Sequence, residues 1–360
     1  MSLDDSEPEV HVFEDPTGLI RLPLGSVRVE DPEEEVFLLY TNLSTRHPED
    51  ISSTSFPGLG SVDSRQDTLA VRFVLPPSPT TKHKAPSGLE GAACRSSKRH
   101  DKRKQNVYVS EGERSLDIEL AQDKTTLRSR RGDTGSSVLW RVSVALCQAL
   151  LNDLCSSSSY SLFDPEKLKE CTVLELGAGT GLLCLILAAW VRHYTVTDLD
   201  YLVPLIRKNV ATNFSVVQQT LKPTRRPSSS SAVSVEPLNW VELQGASLHA
   251  RNTAFRLSHG EPPDLIVLVD CVYNPALLPA LLVTVDHYAA PGRTRVLVAV
   301  ELRSVDVVRE FLELWRGLGG WEIWRIGCTA GGGREGDGWL GIEFAVWIGW
   351  KISVIRERET

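Results

Sequence analysis

From residue 138 onward the apolar positions switch repeatedly between two periods. Compact apolar runs bounded by turn residues predict strands at Thr172–Leu176, Tyr194–Thr197, Val233–Pro237, Asp264–Val269, Thr294–Glu301, Trp321–Ile326 and Ile342–Trp350. Between them apolar residues recur at helical spacing, predicting helices at Val138–Leu154, Gly181–Trp190, Tyr201–Asn213, Ala276–Tyr288 and Ser304–Leu314. In the first, Val138, Leu139, Val142, Ala145, Leu146, Ala149 and Leu150 share one face. In the third, Leu202, Leu205, Ile206 and Val210 do. Strands alternating with helices imply an α/β fold, a mostly parallel sheet covered on both faces. The last two strands are joined by the glycine-rich stretch Gly331–Gly338 with no helix between them, which predicts an antiparallel hairpin at the sheet edge.

Upstream the pattern is sparser. Glu35–Tyr40 and Leu69–Leu75 read as short extended runs, so residues 1–76 are expected to be a small, mostly β region. Residues 77–105 are dense in Pro, Ser and Gly and read as a linker or long loop. Val107–Val109 and Leu116–Leu120 alternate like a hairpin at the start of the main domain, 106–352. A second low-complexity stretch, Lys222–Ser231, marks an insertion expected over 215–232. The linker carries Lys82, Lys84, Arg95, Lys98, Arg99, Lys102, Arg103 and Lys104. Such a run can be a nuclear address, a patch for RNA or ribosome contact, or a solvated loop.

Charge narrows the partners. Lys and Arg number 39 against 46 Asp and Glu, a formal net charge of −7. A protein gripping a nucleic-acid backbone carries a basic surplus, so no direct nucleic-acid binding is expected, and the acidic balance suits a basic protein substrate. The seven cysteines form no C-x-x-C pair and sit mostly in apolar runs, which reads as reduced, intracellular and not metal-binding. Met1–Val10 is acidic and lacks the apolar core of a secretory signal, and no apolar run reaches membrane-spanning length. A monomer in the cytoplasm is expected, with the nucleus as the other compartment.

The central chemical signal is Glu175-Leu176-Gly177-Ala178-Gly179-Thr180-Gly181, between an apolar strand and an apolar helix. Such glycines let the backbone turn tightly and approach a ligand without Cβ clashes. The spacing is G-x-G-x-G, not the G-x-G-x-x-G of a dinucleotide site, where a pyrophosphate meets the helix N-terminus. S-adenosyl-L-methionine (SAM) has no phosphate. Its ammonium and sulfonium are positive, and Glu175 can hold the amino-acid end. Asp198 closes the next strand, where a carboxylate accepts from both ribose hydroxyls; NAD enzymes use the same geometry, and an Asp there also suits a helix N-cap. Asp270 and Tyr273 follow another strand's carboxyl end, as acceptor-side groups or as a strand-to-helix cap ahead of Pro275. Trp140 and Trp240 can wall a ring or a methylene chain, attract a cation, or be core.

Together, Glu175–Gly181, Asp198, Asn239-Trp240 and Asp270-Cys-Val-Tyr273 resemble the protein-lysine methyltransferases of the methyltransferase-like 21 group. Gly132-Asp-Thr-Gly135-Ser-Ser-Val-Leu-Trp140, preceded by Gln122-Asp123, resembles that group's ribosomal lysine N-methyltransferase 5 branch. The resemblance covers roughly residues 105 to 350 and implies a Rossmann-like class I methyltransferase with a seven-stranded sheet. It implies SAM contacts at Trp140, Gly177, Ala178, Gly179, Asp198 and Trp240. It also implies one at Val269, where the family commonly has Ala, and an acceptor lysine on a large-subunit ribosomal protein. Lysine must lose a proton before it can attack a methyl group, and desolvation in an aromatic pocket favours that loss. Other readings are a SAM enzyme for another protein, RNA or a small molecule, a NAD-dependent oxidoreductase, and a non-catalytic adaptor. The missing prolines in Asp270-Cys-Val-Tyr273 separate it from the Asn/Asp-Pro-Pro-Tyr pattern of enzymes that methylate exocyclic amines.

Overall fold

The structure, a computed structural model, describes residues 13–45, 60–76, 114–123, 138–156, 161–221, 232–327 and 339–352. The described residues open with three two-residue strands, β1 (Phe13–Glu14), β2 (Arg21–Leu22) and β3 (Val27–Arg28), then helix α1 (Pro32–Thr45). Next come β4 (Thr68–Leu75), β5 (Arg114–Ala121), α2 (Arg141–Cys155) and the single turn α3 (Pro165–Leu168). The αβ alternation follows: β6 (Thr172–Leu176), α4 (Leu182–Leu187), β7 (His193–Asp198), α5 (Val203–Leu221), β8 (Ala232–Pro237), α6 (Trp240–Gly245) and α7 (Leu248–Ala254). It ends with β9 (Leu265–Val269), α8 (Leu278–Tyr288), β10 (Arg295–Glu301), α9 (Val305–Gly317), β11 (Trp321–Arg325) and β12 (Phe344–Lys351).

The large sheet has the order β3-β11-β12-β10-β9-β6-β7-β8. Its seven long strands are those expected from the pattern, and β3 adds a short eighth at one edge. Strands β10, β9, β6, β7 and β8 are parallel, while β12 runs antiparallel between β10 and β11. The chain leaves β6 toward β7 and later returns to β9 on the other side, which opens a crevice at the carboxyl ends of β6 and β9. Two cores cover the faces, and side chains alternate between them. Leu265, Val267 and Val269 of β9 join one, Ile266 and Leu268 the other. Because both faces are buried, the strand reads as an unbroken apolar run.

Two readings of the sequence change, and one predicted strand gains a partner. Glu35–Tyr40, expected to be extended, lies inside α1. Val36 and Leu39 are buried and Tyr40 and Leu43 pack beside them, so the apolar stripe is helical and seats on the α9 side of the sheet. A proline at the start and Glu33, Glu34 and Glu35 in the first turn favour a helix beginning there. Helix α5 runs on to Leu221, absorbing the front of the expected insertion; residues 222–231 lie outside the described residues. Finally, β5 pairs with β4, in register from Thr68↔Ala121 to Leu75↔Arg114. Val107–Val109, the basic run at 82–104, Gly132–Ser137 and Gly331–Gly338 also lie outside the described residues.

Candidate active site

The glycine loop is built for close approach. Gly177, Gly179 and Gly181 have φ of 68°, 58° and 77°, the left-handed region that side chains disfavour. A Cβ on Gly177 would stand 2.9 Å from Cys271 Sγ and 3.1 Å from the Trp240 ring. The loop is tied to the end of β7: Gly179 N–H donates to Asp198 Oδ2 at 2.8 Å, and Ala178 N–H to the Thr197 carbonyl at 3.1 Å. From α5, Asn209 Nδ2 donates to the Thr180 carbonyl at 2.9 Å.

All ten residues singled out in the sequence line one cleft at the carboxyl ends of β6, β7 and β9. They are Trp140, Glu175, Gly177, Ala178, Gly179, Asp198, Trp240, Val269, Asp270 and Tyr273. Trp140 sits at the N-cap of α2 and Trp240 opens α6. Asn239 caps α6, its side-chain oxygen accepting from Val241 N–H at 3.1 Å, which fixes where Trp240 emerges. Leu199, Leu238, Leu182 and Leu183 supply apolar wall. The Trp240 Nε1–H is buried without a hydrogen-bond partner among the described residues.

The carboxylates are unusual in being buried. Burial pushes the Glu175 carboxyl up to about 8, partly opposed by the bond it accepts from Tyr194 Oη at 2.9 Å. Burial also lifts Asp198 to about 6, against the backbone N–H groups of Gly179 and Leu199. Asp198 does not cap the following turn; Leu199 holds that position. Nor does Asp270 act as the strand-to-helix cap, because Asn274 caps Pro275–Leu277. Asp270 instead has φ 58°, the one positive value outside glycine among the described residues. Burial raises its carboxyl, and the Arg303 guanidinium, in direct ion-pair contact, counters that rise. Tyr273 is 37% exposed at the cleft.

A sequence profile described as "Lysine methyltransferase" matches residues 119–316, more than half of the 360. The chain belongs to the lysine methyltransferase family. This methyltransferase is 26% identical over 341 residues to "Ribosomal lysine N-methyltransferase 5" of Candida glabrata, covering 81% of this chain and 92% of that one. It is 29% identical to the protein of that name from Zygosaccharomyces rouxii, covering 40% of this chain and 50% of that one. It is also 29% identical to "Protein N-lysine methyltransferase METTL21A" of Danio rerio, covering 50% and 66%. The methyltransferase thus spans nearly all of one relative and about half to two thirds of the others.

What sequence reasoning missed is the shell behind the ten. Arg303 follows β10 by two residues and meets both Asp270 and the Trp140 ring. Its place just past a strand's carboxyl end was a usable signal, because such sheets present their chemistry there. Helices α6 and α7, one of which carries Trp240, were also missed; each is too short for a periodic stripe to show.

Proposed function

We propose that this methyltransferase uses SAM to methylate a lysine on a large-subunit ribosomal protein, in the cytoplasm. One observation carries the cofactor half: a buried Glu175, an open glycine loop and a buried Asp198 share one cleft with Asp270 and Tyr273. The residues fit the group. The space over Gly177 is one that a single Cβ would fill, the Trp240 Nε1–H lacks a partner, and a buried carboxyl at Glu175 gains from a nearby cation. Asp198 would hold the ribose hydroxyls, Gly177, Ala178 and Gly179 the path between, Glu175 the cationic amino-acid end, and Val269 and Trp240 the flat ring. When bound, SAM supplies a methyl group already activated by its sulfonium.

The acceptor side is then the work of the chain's own groups. The face of Trp140 attracts a lysine ammonium and lines its methylene stem. Loss of water around it lowers the lysine pKa toward the neutral, nucleophilic form. The Asp270 carboxylate and Tyr273 hydroxyl hold the nitrogen, and Asp270 accepts its proton. The ribosomal target rests on the names of the relatives, one of which matches 81% of this chain, and on the net charge of −7.

Purified protein, radiolabelled SAM and separated ribosomal subunits test this, with intact mass spectrometry of the ribosomal proteins. One large-subunit protein gaining methyl mass at a lysine is the expected result. SAM binding with no labelled ribosomal protein would discard the ribosomal target while keeping the cofactor.

A further inference from the structure

Behind the cleft, five charged side chains form an alternating line. Arg141 at the start of α2 contacts Glu343 and, at 3.1 Å, Glu301. Glu301, the last residue of β10, contacts Arg303 at 3.1 Å, and Arg303 contacts Asp270. Three carboxylates face two guanidinia, so the line carries one net negative charge, and its end at Asp270 lies in the cleft. Arg303 is also stacked on Trp140, its guanidinium carbon 5.0 Å from the ring centroid. One side chain thus links the tryptophan wall to the strained, buried aspartate.

The N-terminal segment closes over this link. Arg141 N–H donates to the Gly60 carbonyl at 2.9 Å, Val62 N–H donates to Leu139, and Ser61 bridges to Trp140. Gly60, at φ 87°, lies so close that a Cβ there would fall 2.5 Å from Arg303 Nη2 and 2.3 Å from Glu301 Oε2. A guanidinium held by two carboxylates, an aromatic face and a backbone lid has little room to turn. Arg is suited to this because its planar fork serves several partners at once.

We propose that Arg303 is the positioning residue for the acceptor amine: it aims the Asp270 carboxylate into the cleft beside Trp140 and keeps it ionised there to receive the lysine ammonium. The proposal rests on the reading of the cleft as a lysine methyltransferase site. Arg303 does not touch the reacting atoms. It acts on Asp270, which is faced by Arg303, by Glu301 and by the Glu301 N–H at 3.5 Å; Arg303 is in turn near Tyr40, and Arg141 faces Glu301 from α2. Without the guanidinium, the buried carboxylate loses its main counter-charge and takes a proton at higher pH.

The test compares wild type with Arg303→Met, Arg303→Lys and Gly60→Ala, all checked for folding by thermal melting. Two readouts are taken: carbon-13 NMR titration of the Asp270 carboxyl, assigned by its loss in Asp270→Asn, and kcat and KM with large ribosomal subunits beside the SAM dissociation constant. Arg303→Met should raise the Asp270 titration midpoint by at least one pH unit. It should lower kcat tenfold or more and change SAM affinity less than threefold. Arg303→Lys should recover part of both effects, and Gly60→Ala, which crowds the guanidinium, should show them in weaker form. A folded Arg303→Met with an unmoved Asp270 midpoint overturns the proposal, and so does an unchanged kcat. Wild-type protein that labels no ribosomal protein, with the midpoint moved in Arg303→Met, sustains the positioning role and counts against the ribosomal target alone.

Discussion

At the scale of single residues, the cleft is defined by carboxyl groups that are costly to ionise where they stand. Glu175, lifted to about 8 by burial, is mostly protonated at neutral pH in the ligand-free protein. A cation beside it favours the carboxylate, so SAM binding should release a proton. Affinity should rise with pH from 6 to about 8 and level off above, and calorimetry in buffers of differing ionisation heat will read both trend and proton count. The same shift acts on the empty fold. A carboxyl raised above its usual 4.5 contributes stability that is full below that value and lost as pH climbs through about 8. Melting temperature should therefore fall across that window, less so in Glu175→Gln. Asp198→Ala should weaken SAM by roughly 100-fold, the worth of two hydrogen bonds to a charged group at about 1.5 kcal/mol each; an unchanged dissociation constant would remove the ribose role. These residues were legible in the sequence because each lies at a strand's carboxyl end in a chain whose strands are unmistakable. Arg303 was not legible as their partner, because its contacts cross between strands that are adjacent only in the folded sheet.

At the scale of elements, side-chain amides do work that strands usually do for each other. Asn209 of α5 accepts from Ala121 N–H at 2.8 Å and donates back to the Ala121 carbonyl at 3.0 Å. One helical turn on, Asn213 does the same for Glu119, at 3.1 and 2.8 Å. Gln148 of α2 repeats the pattern on the other edge, at Val74 of β4. Helices thereby bond both outer edges of the β4–β5 pair, at Val74 on one and at Glu119 and Ala121 on the other, which helps a two-stranded sheet persist there. Asn209 also reaches the glycine loop at Thr180. Asn209→Ala should therefore cost about 2–4 kcal/mol, since it strands several backbone groups at about 1–3 kcal/mol each, and should weaken SAM binding as well; denaturant unfolding and calorimetry will show both. A loss in stability alone would mean that the loop stands without this tie. The strands of the large sheet were readable because their apolar runs are short, bounded by turn residues and separated by longer helical stripes, so length and flanks decide where period does not. Helix α1 was misread because Val36-Phe37-Leu38-Leu39-Tyr40 is apolar at every position and so fits either period. Only its packing against the sheet decides between them.

At the scale of the molecule, the N-terminal residues are part of the catalytic fold. Strand β3 extends the large sheet through β11, and Asp15 forms a fully buried ion pair with Arg295 at the start of β10. Asp15 Oδ1 also accepts from Ile20 N–H at 2.7 Å. Removing one partner of such a pair leaves the other charged and dry, so Asp15→Ala should destabilise the protein by about 3–5 kcal/mol in denaturant unfolding. Sequence reading saw these segments as short and β-rich but had no means of placing them, since pairing between residues so far apart leaves no local trace. The most direct test of the whole account identifies the methylated product. Protein incubated with methyl-labelled SAM and large ribosomal subunits is separated from RNA, hydrolysed to amino acids and resolved by chromatography. Label is expected in methylated lysine and should be lost in Asp198→Ala. Label in nucleosides or in another amino acid, with none in lysine, would contradict the account.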